Sequence, residues 1–479
     1  MSSKIVILGG GPAGLALAMQ LLRRSDLNAE IHVIEKEDTV GGLTRSFEKE
    51  GLYFDFGSHR LHPATSPEIM RDIRALLGED LLDRPRDGRI LLLKRFVKFP
   101  LNPVNLLVHL PASFVFGFVG DLLTKPFRKK QMPERTFSDV LLNGLGKTIC
   151  QTFYFPYARK LWGLDPDEIA ATQARKRVGA NNIGKIIKKV LSLVPGFKKE
   201  GAGRFFYPKK GYGQIADALA QEVIRLGGKI HVSTKVEGIH VEDGRVVKVD
   251  LAYFPDGSEP RKESINVDFL FSTIPVPLLM WLLKPAVPAD YIEQFKQLRY
   301  RDMILFYLIL ETDQLTKFDA HYFPEEHLIF SRLQEPKNYS ASTEPKGLTG
   351  LCFEIPCSQG DTLWNRSDTS LLEEIKTTMA AIGLPIQVPI REAFSKRVSH
   401  VYPVYDLNFE KRFEGVDAYL TAIQGLVHLG RQGLFAHDNT HHTMEMAYRA
   451  SDCLNADCSW NNEKWREFRE QFQTHVVED

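Results

Sequence analysis

Three glycines and a carboxylate near the start of the chain have the types and spacing that most directly imply chemistry. Gly9-x-Gly11-x-x-Gly14 follows a β-branched run at residues 5–8, and Glu35 stands 21 residues after Gly14. Gly9 permits a tight turn, and Gly11 lets backbone approach a pyrophosphate because no Cβ intrudes. Gly14, just past Pro12 and Ala13, lets helix and strand pack closely. A helix opening behind these glycines offers unpaired N–H groups and the positive end of its dipole. Glu35 is a carboxylate able to accept from a ribose hydroxyl. The implied chemistry is dinucleotide binding, and it requires a strand–turn–helix–strand unit. The pattern supplies one: a strand at 5–8, then a helix with Leu15, Ala18, Leu21 and Leu22 on one face and Arg23 and Arg24 at its end. A second strand at 31–34 closes the unit.

Further candidates follow directly. Lys36 adjoins the carboxylate, and Gly41-Gly42-Leu43-Thr44 comes soon after. The segment from Tyr53 to Phe56 leads into Gly57-Ser58-His59-Arg-Leu-His62, whose imidazoles titrate near neutrality. Downstream elements must present the rest. A helix is expected at 66–77, and a hairpin at 89–101 with Lys94 and Arg95 in its turn. Trp162-Gly163 ends one helical stretch and Asp165 opens another, which brings Arg175 and Arg177. A helix follows at 214–226. Strands are read at 230–233, 236–241, 268–274, 303–310 and 348–355, and a late helix runs to Leu454. Trp465, Phe468 and Phe472, at helical spacing, cap a core.

The composition sets bounds. At 479 residues, two or three domains are expected, and a formal charge of +1 argues against a protein dedicated to nucleic acid. Five cysteines without a CxxC or paired histidine spacing argue against a disulfide framework or a structural metal site, so no metal is expected. The same cysteine usage points to a reducing cytosol, and Met1-Ser-Ser-Lys leads straight into the first strand, which leaves no room for a signal peptide. Residues 106–123 are the most apolar part, yet His109, Pro111 and Asp121 keep them short of the roughly 20 clean apolar residues of a membrane span. A buried helix pair is expected there; a surface touching lipid or a long apolar substrate is the other reading. Basic residues at 125 and 128–130, and a basic amphipathic stretch at 185–199, would suit peripheral contact with an anionic membrane.

The whole first segment resembles the flavoprotein superfamily of amine oxidases, phytoene desaturases and protoporphyrinogen oxidase. Glu35, Lys36, Gly41 and Gly42 match its E-K-x-x-x-x-G-G segment, and Thr234-Lys-Val236, Thr273-Ile-Pro275 and Gly430-Arg431 match later ones. The branch it most resembles is that of UDP-galactopyranose mutase, on Tyr157, Lys160, Trp162-Gly163, Arg332 and Tyr402-Pro-Val. The resemblance implies FAD, reached by Val236 through its backbone at the adenine. Gly430, Arg431, Asn439 and Thr440 would close the site at the flavin edge. It implies His59 and His62 at the flavin face, Arg177, Arg332 and Tyr402 on a diphosphate, and Trp162 beside substrate.

The fold class so implied is α/β, with a discontinuous Rossmann-type FAD-binding domain at 1–85, 206–280 and 421–479. A helical insert and substrate-side region spans 86–205, and a mixed-sheet substrate domain 281–420. The activity implied first is that of a mutase acting on a nucleotide-activated or lipid-linked sugar with reduced FAD. An oxidoreductase acting on an apolar substrate stands beside it, and a flavin-binding scaffold is the third reading. At Phe435-Ala-His437-Asp438-Asn439 the chain departs from the mutases' tyrosine-rich segment, which argues against UDP-galactose itself. The partner expected is a small molecule; oligomeric state stays open.

Overall fold

Strand Ser3–Leu8 is buried from Ile5 onward, as the centre of a parallel sheet must be. In the computed structural model, which describes residues 2–99, 105, 108–127, 132–178, 203–254 and 259–477, it lies third of five strands. Their order is Leu426–His428, Phe269–Ser272, Ser3–Leu8, Ala29–Ile34 and Lys229–His231. All pair in parallel, so segments more than 400 residues apart in sequence end at one edge.

Helix Pro12–Leu22 begins where the first strand's turn ends. Its burial is not confined to one face: every residue from Ala13 to Met19 is buried, and Leu21 as well. Helices Gln214–Arg225 and Thr440–Cys453 pack on either side of it, which explains why alanines and leucines occupy all its faces.

Two larger sheets follow, beside two two-stranded ones, Ser46–Lys49 with Leu52–Asp55 and Leu81–Pro85 with Arg204–Pro208. Strands Arg261–Asn266, Arg245–Tyr253 and Thr234–Glu242 are antiparallel, with Leu283–Lys284 beside the last. The third sheet has seven strands in the order Ile390–Pro403, Tyr300–Leu310, Thr349–Cys357, Arg332–Gln334, Ala320–Tyr322, Gly88–Leu92 and Arg95–Phe99. It is antiparallel except where Ala320–Tyr322 meets Gly88–Leu92. The architecture is α/β with sheets of mixed orientation.

Three local expectations are corrected. The hairpin turn is Leu93–Lys94, both at positive φ, so Arg95 begins the second strand. Asp165 opens no helix: Glu168 N–H bonds back to Asp165 in a turn, and Ile169 and Ala170 bridge Asp406 and Thr136. Those bridges hold the backbone extended until helix Ala171–Val178 begins. The apolar segment is no buried helix pair. Helix Ala112–Thr124 buries only Phe114 and Asp121. The basic residues 128–130 and the stretch 185–199 lie outside the described residues.

Candidate functional site

The glycines divide into two kinds. A Cβ on Gly14 would stand 2.0 Å from the Gly9 carbonyl oxygen, and one on Gly9, whose φ is +102°, 2.4 Å from Thr273 Oγ1. These two let strand and helix touch. A Cβ on Gly11 meets nothing within 4 Å, so this glycine borders open space at the helix N-terminus. Gly41 N–H donates to Gly10 O at 2.8 Å, which brings the turn at Gly42–Thr44 (Gly42, Leu43, Thr44) across that space. Glu35 is buried there, accepting from Gly10 N–H at 2.8 Å and Glu37 N–H at 3.0 Å. Two bonds fix its carboxylate and leave lone pairs for a hydroxyl. Thr234 N–H bonds to Glu35 O, which brings Val236 to the same end. Gly430 packs on Ala13, and Asn439 caps the helix that Thr440 begins. Lys36 does not join them: its side chain is 66% exposed and pairs with Glu37.

A second constellation is built from side chains. His59 stacks on Tyr212 and its Nε2 lies 3.1 Å from Phe56 O. Burial and the Arg332 guanidinium push the imidazole down to about 4, so it is neutral near pH 7. Glu354 joins His59's loop to Arg332. One carboxylate oxygen accepts from Ser58 N–H at 2.6 Å, and the other from Arg332 at 2.8 Å. Gly57 lies against the same carboxylate. Burial opposes the Arg332 charge, but Glu354 and the neighbouring tyrosines Tyr402, Tyr322 and Tyr157 outweigh it. Tyr402 lies between two more guanidiniums: Arg177 is 5.6 Å and Arg431 5.5 Å from its ring centroid. Arg431 is held by the carbonyls of Val401 and Asp438, and burial pushes its pKa down. Trp162 is buried edge-on to His437, whose ring stacks on Tyr402.

Several buried polar atoms here have no hydrogen-bond partner among the described residues: Trp162 Nε1, Arg332 Nε, Arg431 Nε, His437 Nδ1 and Asp438 Oδ1. Buried polar groups are rarely left so. His62 lies on the same loop, three residues after His59. Its Nδ1 accepts from Ala64 N–H, and its ring faces His441.

Sequence reasoning missed Glu354, Arg60 and His437. Arg60 donates to the hydroxyls of Tyr322 and Tyr339 and lies 3.4 Å from Asp319. Its position between the two candidate histidines was the only available signal. Asp55 was also missed: it accepts from Ser46, Tyr207 and Tyr212 N–H, and burial raises it to about 6. Asp438, His442 and His475 bring one ligand atom each within 4.8 Å of one another. Asn439 N–H already donates to His442 Nδ1, and the two imidazoles stack at 4.2 Å, so these residues form a capping network at the helix N-terminus.

The sequence profile of the family described as flavin containing amine oxidoreductase matches residues 12–451. A 4,4'-diapophytoene desaturase of Methylomonas sp is 24% identical over 435 residues, 79% of each chain. Protoporphyrinogen oxidase 1 of Spinacia oleracea is 25% identical over 60% of this chain and 54% of its own. The structure of reduced UDP-galactopyranose mutase superposes with a TM-score of 0.80 at 20% identity, covering all of both chains. The open space at Gly11 and the pinned Glu35 suit a dinucleotide cofactor. The chain is an FAD enzyme belonging to the flavin-containing amine oxidoreductase family.

Proposed function

We propose that this family member isomerises a nucleotide-activated or lipid-linked sugar, with its FAD reduced. In this reading Gly11, Pro12, Ala13 and Gly14 face the pyrophosphate and Glu35 the ribose. Val236 meets the adenine, and Gly41 to Thr44 meet the ribityl side. Gly57 to His59, Gly430, Arg431, Asn439 and Thr440 surround the flavin. The discontinuous Rossmann-type domain is the matching division of the chain. When bound, reduced flavin would supply a nucleophilic electron pair at the sugar carbon that carries the nucleotide diphosphate. The chain's own residues hold that leaving group.

One observation carries the reading: Arg177 and Arg431 lie 5.6 Å and 5.5 Å from the Tyr402 ring centroid, and Arg332 lies beside it, in a partly buried cluster. Guanidiniums present forked donors that match phosphate oxygens, whereas a hydrocarbon substrate gains nothing from them. Neutral His59, next to Arg332, can line the reacting face without adding charge. Overlap with the mutase fold along the full chain is consistent with this.

The similarity to a desaturase over 79% of the chain favours a second reading, oxidation of an apolar substrate. Titrating the reduced holoenzyme with UDP- and TDP-sugars separates the two. Tighter binding to reduced flavin and appearance of the ring isomer, without hydrogen peroxide, support the mutase. A flavin indifferent to nucleotides but reoxidised by oxygen or a quinone supports the oxidase. Arg177→Ala is expected to raise KM for the sugar nucleotide about tenfold, the equivalent of one charge-assisted bond, with FAD retained. Unchanged KM would remove Arg177 from the diphosphate.

A further inference from the structure

Helix Ala112–Thr124 is turned the wrong way round for a soluble surface. Its outward positions Phe116, Val119 and Leu123, continued by Phe127, are 75%, 40%, 69% and 89% exposed. Their spacing of three, four and four residues makes one continuous apolar stripe. The inward face holds the helix's only charged residue, Asp121, which is buried and accepts from Thr148 N–H at 2.6 Å. The helix cannot roll to reverse this. A Cβ on Gly117 would stand 2.8 Å from Thr148 Oγ1, and one on Gly146 2.8 Å from Asp121. These close approaches fix its rotation with Phe116, Val119 and Leu123 outward. Val108 and Met132, at either end, are 70% and 72% exposed.

The described side chains flanking this stripe in sequence are mostly basic. Among the described residues of 93–127 the charged side chains are Lys94, Arg95, Lys98 and Lys125 against one acid, the buried Asp121; Glu325 meets the hairpin tip at Lys94 N–H. The hairpin tip is fastened beside the helix by Arg95, which donates to His109 O at 2.8 Å, and it exposes Leu93 and Lys94.

We propose that this face docks on an anionic lipid bilayer, with the helix lying in the interface plane and its basic neighbours among the headgroups. A thirteen-residue helix is about 20 Å long, too short for a hydrocarbon core of about 30 Å. Among the described residues no helix is long and apolar enough to cross a membrane. An apolar stripe bordered by cations is the arrangement of an interfacial helix. A second copy of the chain is disfavoured, because two faces of the same positive sign would oppose each other. The proposal does not depend on the sugar reading.

The test is co-sedimentation of the holoenzyme with phosphatidylglycerol–phosphatidylcholine vesicles and with phosphatidylcholine vesicles alone. Binding to the anionic vesicles is expected, weakening as salt rises from about 0.1 to 0.5 M as screening shortens the reach of the lysines. Phe116→Ser with Leu123→Ser should reduce binding at least about tenfold while leaving the melting temperature and flavin spectrum unchanged, since both side chains are exposed. Absence of vesicle binding, or binding that the double variant leaves intact, overturns the proposal. A dimer in light scattering that the double variant converts to monomer, without vesicle binding, overturns it in favour of a second copy.

Discussion

The glycine-lined cleft and the arginine–tyrosine pocket are built in opposite ways. The cleft is made of backbone: Gly9, Gly11, Gly14 and Glu35 lie within one short β-α-β unit, and their work is to leave room. The pocket is made of long side chains from distant segments: His59, Trp162, Arg177, Arg332, Tyr402, Arg431 and His437, from at least six elements or loops. A cleft that works by absence tolerates little addition. A pocket of paired charges tolerates little removal.

The largest effect should come from the pocket. Arg332→Ala leaves Glu354 buried without its ion pair and is expected to cost about 3–5 kcal/mol. Adding Glu354→Ala should restore a large part of that loss, read in denaturant unfolding as a double-mutant cycle. Additive losses would show that the pair is not coupled. Next, Gly14→Ala drives a methyl group into the Gly9 carbonyl and should cost roughly 3 kcal/mol. Gly11→Ala should leave the melting temperature of the apoprotein unaltered yet weaken FAD about tenfold, because its Cβ enters only the open space. Equal thermal losses in the two variants would erase the division between packing and cleft glycines.

Acid separates the regions a third way. The folded His59 titrates at about 4, below its ordinary value, so its neutral form contributes stability above pH 6.5. That contribution is lost as pH falls from 6.5 through 4. At pH 5 wild type should have lost about 2 kcal/mol relative to His59→Gln, compared with pH 7. Parallel pH profiles for the two proteins would show that His59 titrates normally. The smallest effect belongs to Lys36→Ala, expected to change FAD affinity by less than about twofold, since an exposed lysine paired to Glu37 contributes little.

The cleft was legible because each of its requirements is local. A β-branched run, three glycines and a carboxylate at fixed spacing can be satisfied by little else. The strands at 303–310 and 348–355 were legible for the same reason, and they pair as Tyr300–Leu310 with Thr349–Cys357. The pocket was legible only in part. Arg332 and Tyr402 could be singled out by resemblance, but Glu354 lies in an apolar strand with no distinguishing neighbours. Its function depends on Ser58 and Arg332, which reach it from other parts of the chain. The contact of His62 with His441 is of the same kind, since it joins residues far apart in sequence.

Sequence alone determined the elements whose causes lie within a few residues. These are the strand–glycine–helix unit, the stop at Gly163 with its left-handed backbone, and the Ser66-capped helix Pro67–Leu77. It also determined the near-neutral charge and the apolar character of residues 106–123. Tertiary structure alone decided which way that apolar helix faces, where the Asp165 segment stops being a turn, and which arginines share one tyrosine. The physical reason is common to all three. Hydrophobicity and charge say what a segment can bury or pair, but the partner is chosen by close contacts such as Gly117 against Thr148 and Glu354 against Arg332. Those contacts join residues that no local pattern connects.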